Sequence, residues 1–305
     1  MRALRIHARG GPDQLVCETA ATPEPGTGDA LVEVHAASYT PGELQWPSTW
    51  VDRRGHDRTP IIPCHELSGV VSHLGFGATG VSIGDEVYAL TDWYRDGAAA
   101  ELIAVEARNL ALRPRSVDHA ASSTLPLAGL TAWQALFRHG ELTGEDTLVV
   151  LGAAGGVGNL AVQLANHAGA RVLGIGRNKD RTATLEAGAS SFVDPDHEPL
   201  PNLTDTTLVL DTVGGTLARS VAAALGDASR FVSIVDPTAS ELAGSRGTFF
   251  VVEPDRDGLT EIARRVDDGS LSPTLGRQAD LSDAPKLLEA KELGHVTGKV
   301  SINVH

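Results

Sequence analysis

The segment "PIIPCHELSGVV", residues 60–71, sets Cys64, His65 and Glu66 side by side. All three side-chain types bind zinc, and a catalytic zinc needs three protein ligands with one coordination position left open. Neighbouring residues of an extended strand point to opposite faces, so Cys64 and His65 would not chelate one ion together. The only other cysteine is Cys17, and none follows residue 64. The residues therefore predict no metal, with His65 a hydrogen-bonded residue near the site and Cys64 a small apolar one. A four-thiolate structural zinc lobe is excluded by count.

A second stretch carries different chemistry. "LVVLGAAGGVGNLAVQLANHAG" runs from an apolar strand into Gly152-Ala153-Ala154-Gly155-Gly156-Val157-Gly158 and then an amphipathic helix. Ala153, Gly155 and Gly158 hold the three positions of G-x-G-x-x-G, with alanine at the first. The second glycine lets a pyrophosphate approach the backbone, and the third lets the helix pack close to the strand. In "ARVLGIGRNKDR" the next strand ends without the carboxylate that would hold an adenosine ribose; Gly176, Arg177, Asn178, Lys179 and Arg181 stand there instead. Cations at that point suit a 2′-phosphate, so the expected cofactor is NADPH. Asp180 falls too late and is placed on the following helix.

Elements must position these residues. To about residue 116 the chain is β-rich, with "ALVEVHAASY", "LSGVVSHLG", "DEVYALT" and "AAAELIAVEA" separated by Gly, Pro and Asp signals, as in a partly open barrel. Six apolar runs follow: "DTLVVLGA", "ARVLGIG", "SSFVD", "TTLVLDTV", "RFVSIV" and "GTFFVV". They alternate with amphipathic segments such as "TLARSVAAALGD", which predicts an α/β, doubly wound parallel six-stranded Rossmann sheet. The tail runs helix ("GLTEIARRVDDG"), short strand, helix ("DAPKLLEAKELG") and closing strand "KVSINV". It is expected to pack back on the N-terminal part, giving a catalytic domain of residues 1–118 and 253–305 around a nucleotide-binding domain of residues 119–252.

Bulk properties narrow the partners. The 305 residues carry a formal net charge of -14, which argues against nucleic acid or an anionic membrane surface. The N-terminus lacks a signal-peptide pattern, and no apolar run of about 18 residues is present. A cytoplasmic protein is the expectation.

The chain resembles the medium-chain dehydrogenase/reductase superfamily, in its zinc-independent quinone oxidoreductase and enoyl reductase branch. The pieces that carry the resemblance are "AASYTPGEL", "HELSGVV", "GDEVYAL", "AAAELIAVEA", "LPLAGLTAW", "GAAGGVG", "DTVGG" and "GKVSINV". It implies a GroES-like barrel domain, a Rossmann domain, a cleft between them for NADPH and substrate, and a homodimer. It also implies that Thr131 approaches the nicotinamide end and that Asp211, Val213 and Gly214 line the adenosine side. Phe249, Phe250 and Val251 would pass near the carboxamide, and Lys299 would close over the cofactor. Thr40 stands where the branch carries an Asn near the nicotinamide ribose, and Glu43 where it carries an Asp. Zinc-dependent relatives have a cysteine near Ser38-Tyr39 and another later; this chain has neither.

Without a Lewis acid, the expected acceptor is a quinone, enone or enoyl carbonyl, whose conjugation spreads the developing charge. The candidate catalytic residues are Tyr39, Thr40 and Tyr94; Tyr39 first and Tyr94 second are the candidate proton donors, both also candidates for pocket wall, and Thr40 is a candidate cofactor contact as well. Tyr88, inside a strand, is assigned to the core. Trp46, His65, Trp93 and Tyr94 are the candidate pocket residues. Residues 45–60 look like a mobile loop, in which Trp46 and Trp50 form either an apolar lid or surface packing. The alternative function is an NADP(H)-binding protein with a regulatory or non-redox role.

Overall fold

The computed structural model describes residues 1–226, 228–243 and 246–305. The chain divides into two compact units, one of Met1–Leu127, Glu253–Asp268 and Pro273–His305, the other of Ala128–Val252 and Gly269–Ser272.

The first unit begins with the antiparallel pair β1 (Arg2–Arg5) and β2 (Val16–Thr19). The long strand β3 (Asp29–Tyr39) organises the main sheet, pairing with β4 (Glu66–Leu74), beyond which lie β5 (Glu86–Leu90) and β7 (Ala111–Leu112), and also with β6 (Leu102–Glu106). β3 meets β4 antiparallel with register shifts at Leu31/Val32 and Val34/Ala36, bulges that bend a strand and let one sheet curl around its own core. Residues 45–60 are more ordered than a mobile loop. They hold the short helix α1 (Pro47–Trp50) and a bridge between Val51 and Asp57. Trp50 is buried, and its indole N–H donates to the Leu44 carbonyl at 2.7 Å. It is a core side chain and no lid.

Helix α2 (His119–Ser123) belongs to this unit, because His119 bonds Ser68 at 2.8 Å and Ser123 bonds Ser301 at 3.1 Å. The unit boundary therefore falls after Leu127, later than residue 118. α3 (Pro126–Trp133) continues as a π-helical turn, Gln134–His139, where the Gly140 N–H reaches back to the Ala135 carbonyl at 2.8 Å.

In the second unit β8 (Thr147–Leu151) leads into α4 (Gly156–His167), then β9 (Arg171–Ile175), α5 (Arg181–Glu186) and β10 (Ser191–Val193). β11 (Leu208–Asp211), α6 (Gly215–Ala224), β12 (Arg230–Ser233), α7 (Pro237–Leu242) and β13 (Gly247–Phe249) follow. Asp227, the last residue of "TLARSVAAALGD", lies outside the described residues. The six strands are all parallel in the order β10-β9-β8-β11-β12-β13, the doubly wound arrangement. Val149, Leu151, Ile175, Val209 and Phe231 are buried within it, as an apolar strand covered on both faces requires.

The chain then returns to the first unit through α8 (Arg256–Asp267), β14 (Leu275–Asp280), α9 (Ala284–Glu292) and β15 (Lys299–Asn303), which pairs antiparallel with β3. Tyr88 lies in this unit's core, its hydroxyl donating to the Leu259 carbonyl. No helix among the described residues is long and apolar enough to cross a membrane.

Candidate active site

In the second unit, β8 ends at the glycine loop. Gly152 turns the chain at φ 80°, and Gly155 caps α4 in extended conformation. No side chain caps this first turn, so backbone N–H groups and the positive dipole end face outward. A Cβ at Gly155 would meet only the Gly152 carbonyl, at 3.2 Å, which leaves room for a ligand. A Cβ at Gly158 would sit 2.2 Å from the Gly152 oxygen, so this glycine lets helix and loop touch. Ala154, Gly156 and Val157 are half-buried around the turn. Together these groups fit a pyrophosphate. Ala153 does not take part directly: it is fully buried against Gly174.

At the end of β9, Gly176 is half-buried and Arg177 and Lys179 are exposed. Arg177 lies 3.4 Å from Asp180 with its side chain 70% exposed, a loose pair that leaves the guanidinium available. Arg181 differs from the expectation. It donates to Asn178 at 3.1 Å, to the Phe192 carbonyl at 3.0 Å and to Glu198, and lies over the Phe192 ring. That guanidinium braces α5 against β10. Asp194, just past the neighbouring strand β10, accepts from Asn178, Asp196 and His197.

Other expected cofactor contacts separate in the same way. Asp211 is fully buried, one oxygen accepting from the Val213 and Gly214 amides and the other from Ser233. It shapes the loop rather than reaching a ligand, and leaves Val213 exposed. Phe249 and Val251 are exposed, whereas Phe250 turns inward onto His139 at 4.4 Å. Thr131 is buried in α3.

In the first unit the turn after β3 is gripped by three carboxylates. Glu43, itself buried, accepts from the Thr40 amide at 3.0 Å and the Cys64 amide at 2.6 Å. Burial pushes its carboxyl up to about 8, although both amides favour the charged form. Glu66 pairs with the buried Lys299 and accepts from the Leu127 amide at 2.9 Å. Lys299 also donates to the Thr40 hydroxyl at 3.1 Å, which lies 3.4 Å from Glu66. Lys299 is thus held inside the protein, not free to fold over a ligand. Glu292, at the end of α9, accepts from the Tyr39 hydroxyl at 2.5 Å and the Gly42 amide at 2.8 Å.

Tyr39, expected as proton donor or pocket wall, is instead a core residue. It is fully buried, and burial first, then Glu43, raises its hydroxyl far above the ordinary range, so its proton stays on Glu292's hydrogen bond. Thr40 is half-buried and keeps a hydroxyl linked to Lys299. Nothing local marked Glu292, because its partners lie 250 and 253 residues away.

Cys64 is not extended: its φ is 72°, and its thiol is fully buried and pushed up in pKa chiefly by that burial. Cys64 and His65 therefore do not alternate as neighbours on one extended strand. Among the described residues no group of three or more His, Cys, Asp or Glu side chains could hold a metal ion. His65 is buried, and burial, then Arg58, lowers it to about 4, so the ring is neutral near pH 7. Thr91 Oγ1 lies 3.2 Å from the ring Nδ1 and donates to the His65 carbonyl at 3.1 Å. Trp93 lies 5.3 Å from this ring and meets Trp46 edge-on at 5.2 Å. Tyr94 is exposed beneath Arg53.

Comparison with known proteins bears on this arrangement. Residues 26–115 match the alcohol dehydrogenase GroES-like domain, and residues 187–302 match the zinc-binding dehydrogenase family. The 2-methylene-furan-3-one reductase of Solanum lycopersicum is 30% identical over 322 residues, covering 99% of this chain and 79% of that protein. The chain belongs to the medium-chain dehydrogenase/reductase superfamily, in its quinone oxidoreductase branch. This medium-chain chain is also similar to the chloroplastic NADPH-dependent alkenal/one oxidoreductase of Arabidopsis thaliana, at 28% identity over 99% of the chain and 79% of the relative. The quinone oxidoreductase structure from Coxiella burnetii superposes with a TM-score of 0.91 at 26% identity, covering 100% of this chain and 99% of that one.

Proposed function

We propose that this protein is an NADPH-dependent reductase of a conjugated carbonyl (a quinone, enone or enoyl compound) that works without a metal. The observation that carries the metal-free reading is the Glu66–Lys299 pair. The acidic residue beside His65 is already neutralised by an internal cation, and the partner positions Ser38 and Tyr39 offer no thiolate. A dication would find His65 alone. The names of the two plant relatives support reduction of conjugated carbonyls.

The Gly152–Gly158 turn would hold the pyrophosphate, and Arg177 and Lys179 the 2′-phosphate. When bound, NADPH supplies the hydride. Trp46, Trp93 and neutral His65 offer an apolar surface to the acceptor. Thr40 replaces Tyr39 as the donor: its hydroxyl proton moves to the acceptor oxygen, and an N–H of Lys299, already bonded to Thr40 Oγ1, refills it. Once the product has left, water returns a proton through Thr40 Oγ1 to Lys299. Homodimer formation belongs to the same reading, with β13 and the exposed Phe249 and Val251 as the available edge.

The test is to mix the protein with NADPH and a panel of quinones and enones while following nicotinamide absorbance. Oxidation by at least one acceptor is expected. Tight NADPH binding with no turnover of any acceptor would favour the non-redox alternative, and stoichiometric zinc in purified protein would overturn the metal-free reading.

A further inference from the structure

We infer that Arg58 is a positioning residue that sets acceptor shape: it locks Trp46 against Trp93, and the flat indole wall so fixed selects planar cyclic acceptors over acyclic, branched ones. This rests on the reductase reading and names the acceptor class within it. Arg58 is nearly enclosed, with its side chain 12% exposed. Its Nη1 donates to the carbonyls of Ser48 at 2.7 Å, Thr49 at 3.3 Å and Trp93 at 3.5 Å, and Nη2 lies 3.5 Å from Asp96. One guanidinium therefore joins the backbone just after Trp46 to that of Trp93 itself.

A second strap runs alongside. Arg53 donates to Asp92 at 2.8 Å and lies over the Tyr94 ring. Between these straps the two indoles meet at 5.2 Å with an interplanar angle of 88°. An edge-to-face pair held this way has one arrangement, not many, and leaves a flat π face to a ligand. His65 adds a third ring 5.3 Å from Trp93. A planar ring gains by stacking on such a surface, while a branched chain touches it at a few atoms only. A charged arginine stays buried here because backbone carbonyls replace its water.

The experiment compares kcat/KM for a benzoquinone and for an acyclic branched enone in the wild type, Arg58→Met and Arg58→Lys. In Arg58→Met the quinone preference should fall by about tenfold, mainly through KM for the quinone, and Arg58→Lys should recover part of it. A folded Arg58→Met protein with an unchanged ratio overturns the inference. If Arg58→Met does not fold, Trp46→Leu must lower the same ratio, and failure to do so is equally fatal. If the wild type reduces neither compound, the reductase reading has failed instead. Acrylamide quenching in a Trp133→Phe background then tests the lock directly, since loss of the Arg58 bonds should expose Trp46 and Trp93, and unchanged quenching refutes it.

Discussion

Lys299 on β15 and Glu66 on β4 form an ion pair almost closed to water, with side-chain exposures of 7% and 1%. A pair this enclosed is weak evidence for net stability, because desolvation offsets much of the attraction. Breaking it is another matter. Lys299→Met leaves a buried carboxylate without its cation, and the expected loss is about 3–5 kcal/mol. The double change Glu66→Gln with Lys299→Met should recover most of that, as read by urea unfolding in a double-mutant cycle. Additive losses would mean that the two groups are not coupled.

Stability should peak near pH 6.5. Burial holds Glu43 up at about 8 in the folded protein against 4.5 unfolded, and holds His65 and His119 down at about 4 against 6.5. His35 shifts downward too, again through burial first. As pH rises towards 6.5 the unfolded chain sheds histidine protons that the native state never held, so stability increases; the Glu43 effect runs the other way but counts one group against two or three. Above 6.5 only Glu43 remains. The native state then keeps a proton the unfolded chain has lost, and stability falls by up to about 1.4 kcal/mol per pH unit until about pH 8. Glu43→Gln should abolish that fall. Denaturant midpoints between pH 5 and 9 measure it, and a wild-type curve flat above 6.5 would contradict it.

The cations after β9 should divide by role. Arg177→Glu with Lys179→Glu reverses two exposed charges facing the proposed 2′-phosphate. NADPH binding should weaken by about 10- to 100-fold while NADH binding changes little. Arg181→Ala should leave that preference alone and lower stability, because its guanidinium is occupied by Asn178, Phe192 and Glu198. Calorimetric titration with both coenzymes separates the outcomes, and equal losses for NADH and NADPH in the double variant would refute the assignment.

Arg177 and Arg181 also show where sequence reading stops. Both are arginines just past an apolar strand, and only the first turn of α5 decides which one faces solvent. The six parallel strands and the glycine loop were legible because their signals are local: apolar runs, glycine spacing and helix periodicity. The β15 and α9 tail was legible for the same reason. Tyr39 was not. Residues 36–39 are all buried, so the period-two alternation that would have marked an inward tyrosine is missing there. Its partner Glu292 and the Lys299–Glu66 pair join residues more than 230 positions apart, and pattern reading does not register such contacts. Cys64 was read as extended, but its φ of 72° is a property of the bend before β4 that residue type does not announce.

Two glycines of one loop should respond to alanine in opposite ways. At Gly158 the added methyl would lie 2.2 Å from the Gly152 oxygen and 2.9 Å from the Ala153 Cα, both backbone atoms that cannot rotate away. Gly158→Ala must push α4 off the loop, so melting temperature and NADPH affinity should fall together. At Gly155 the nearest atom is the Gly152 oxygen at 3.2 Å, and φ is -68°, which alanine adopts freely. Gly155→Ala should keep the melting temperature within a degree or two, while its methyl stands where a phosphate would meet the helix N-terminus. Affinity should fall by about tenfold or more with the fold intact. Thermal denaturation paired with fluorescence titration of NADPH distinguishes the two variants. Undiminished binding by Gly155→Ala would mean that no phosphate docks on this turn.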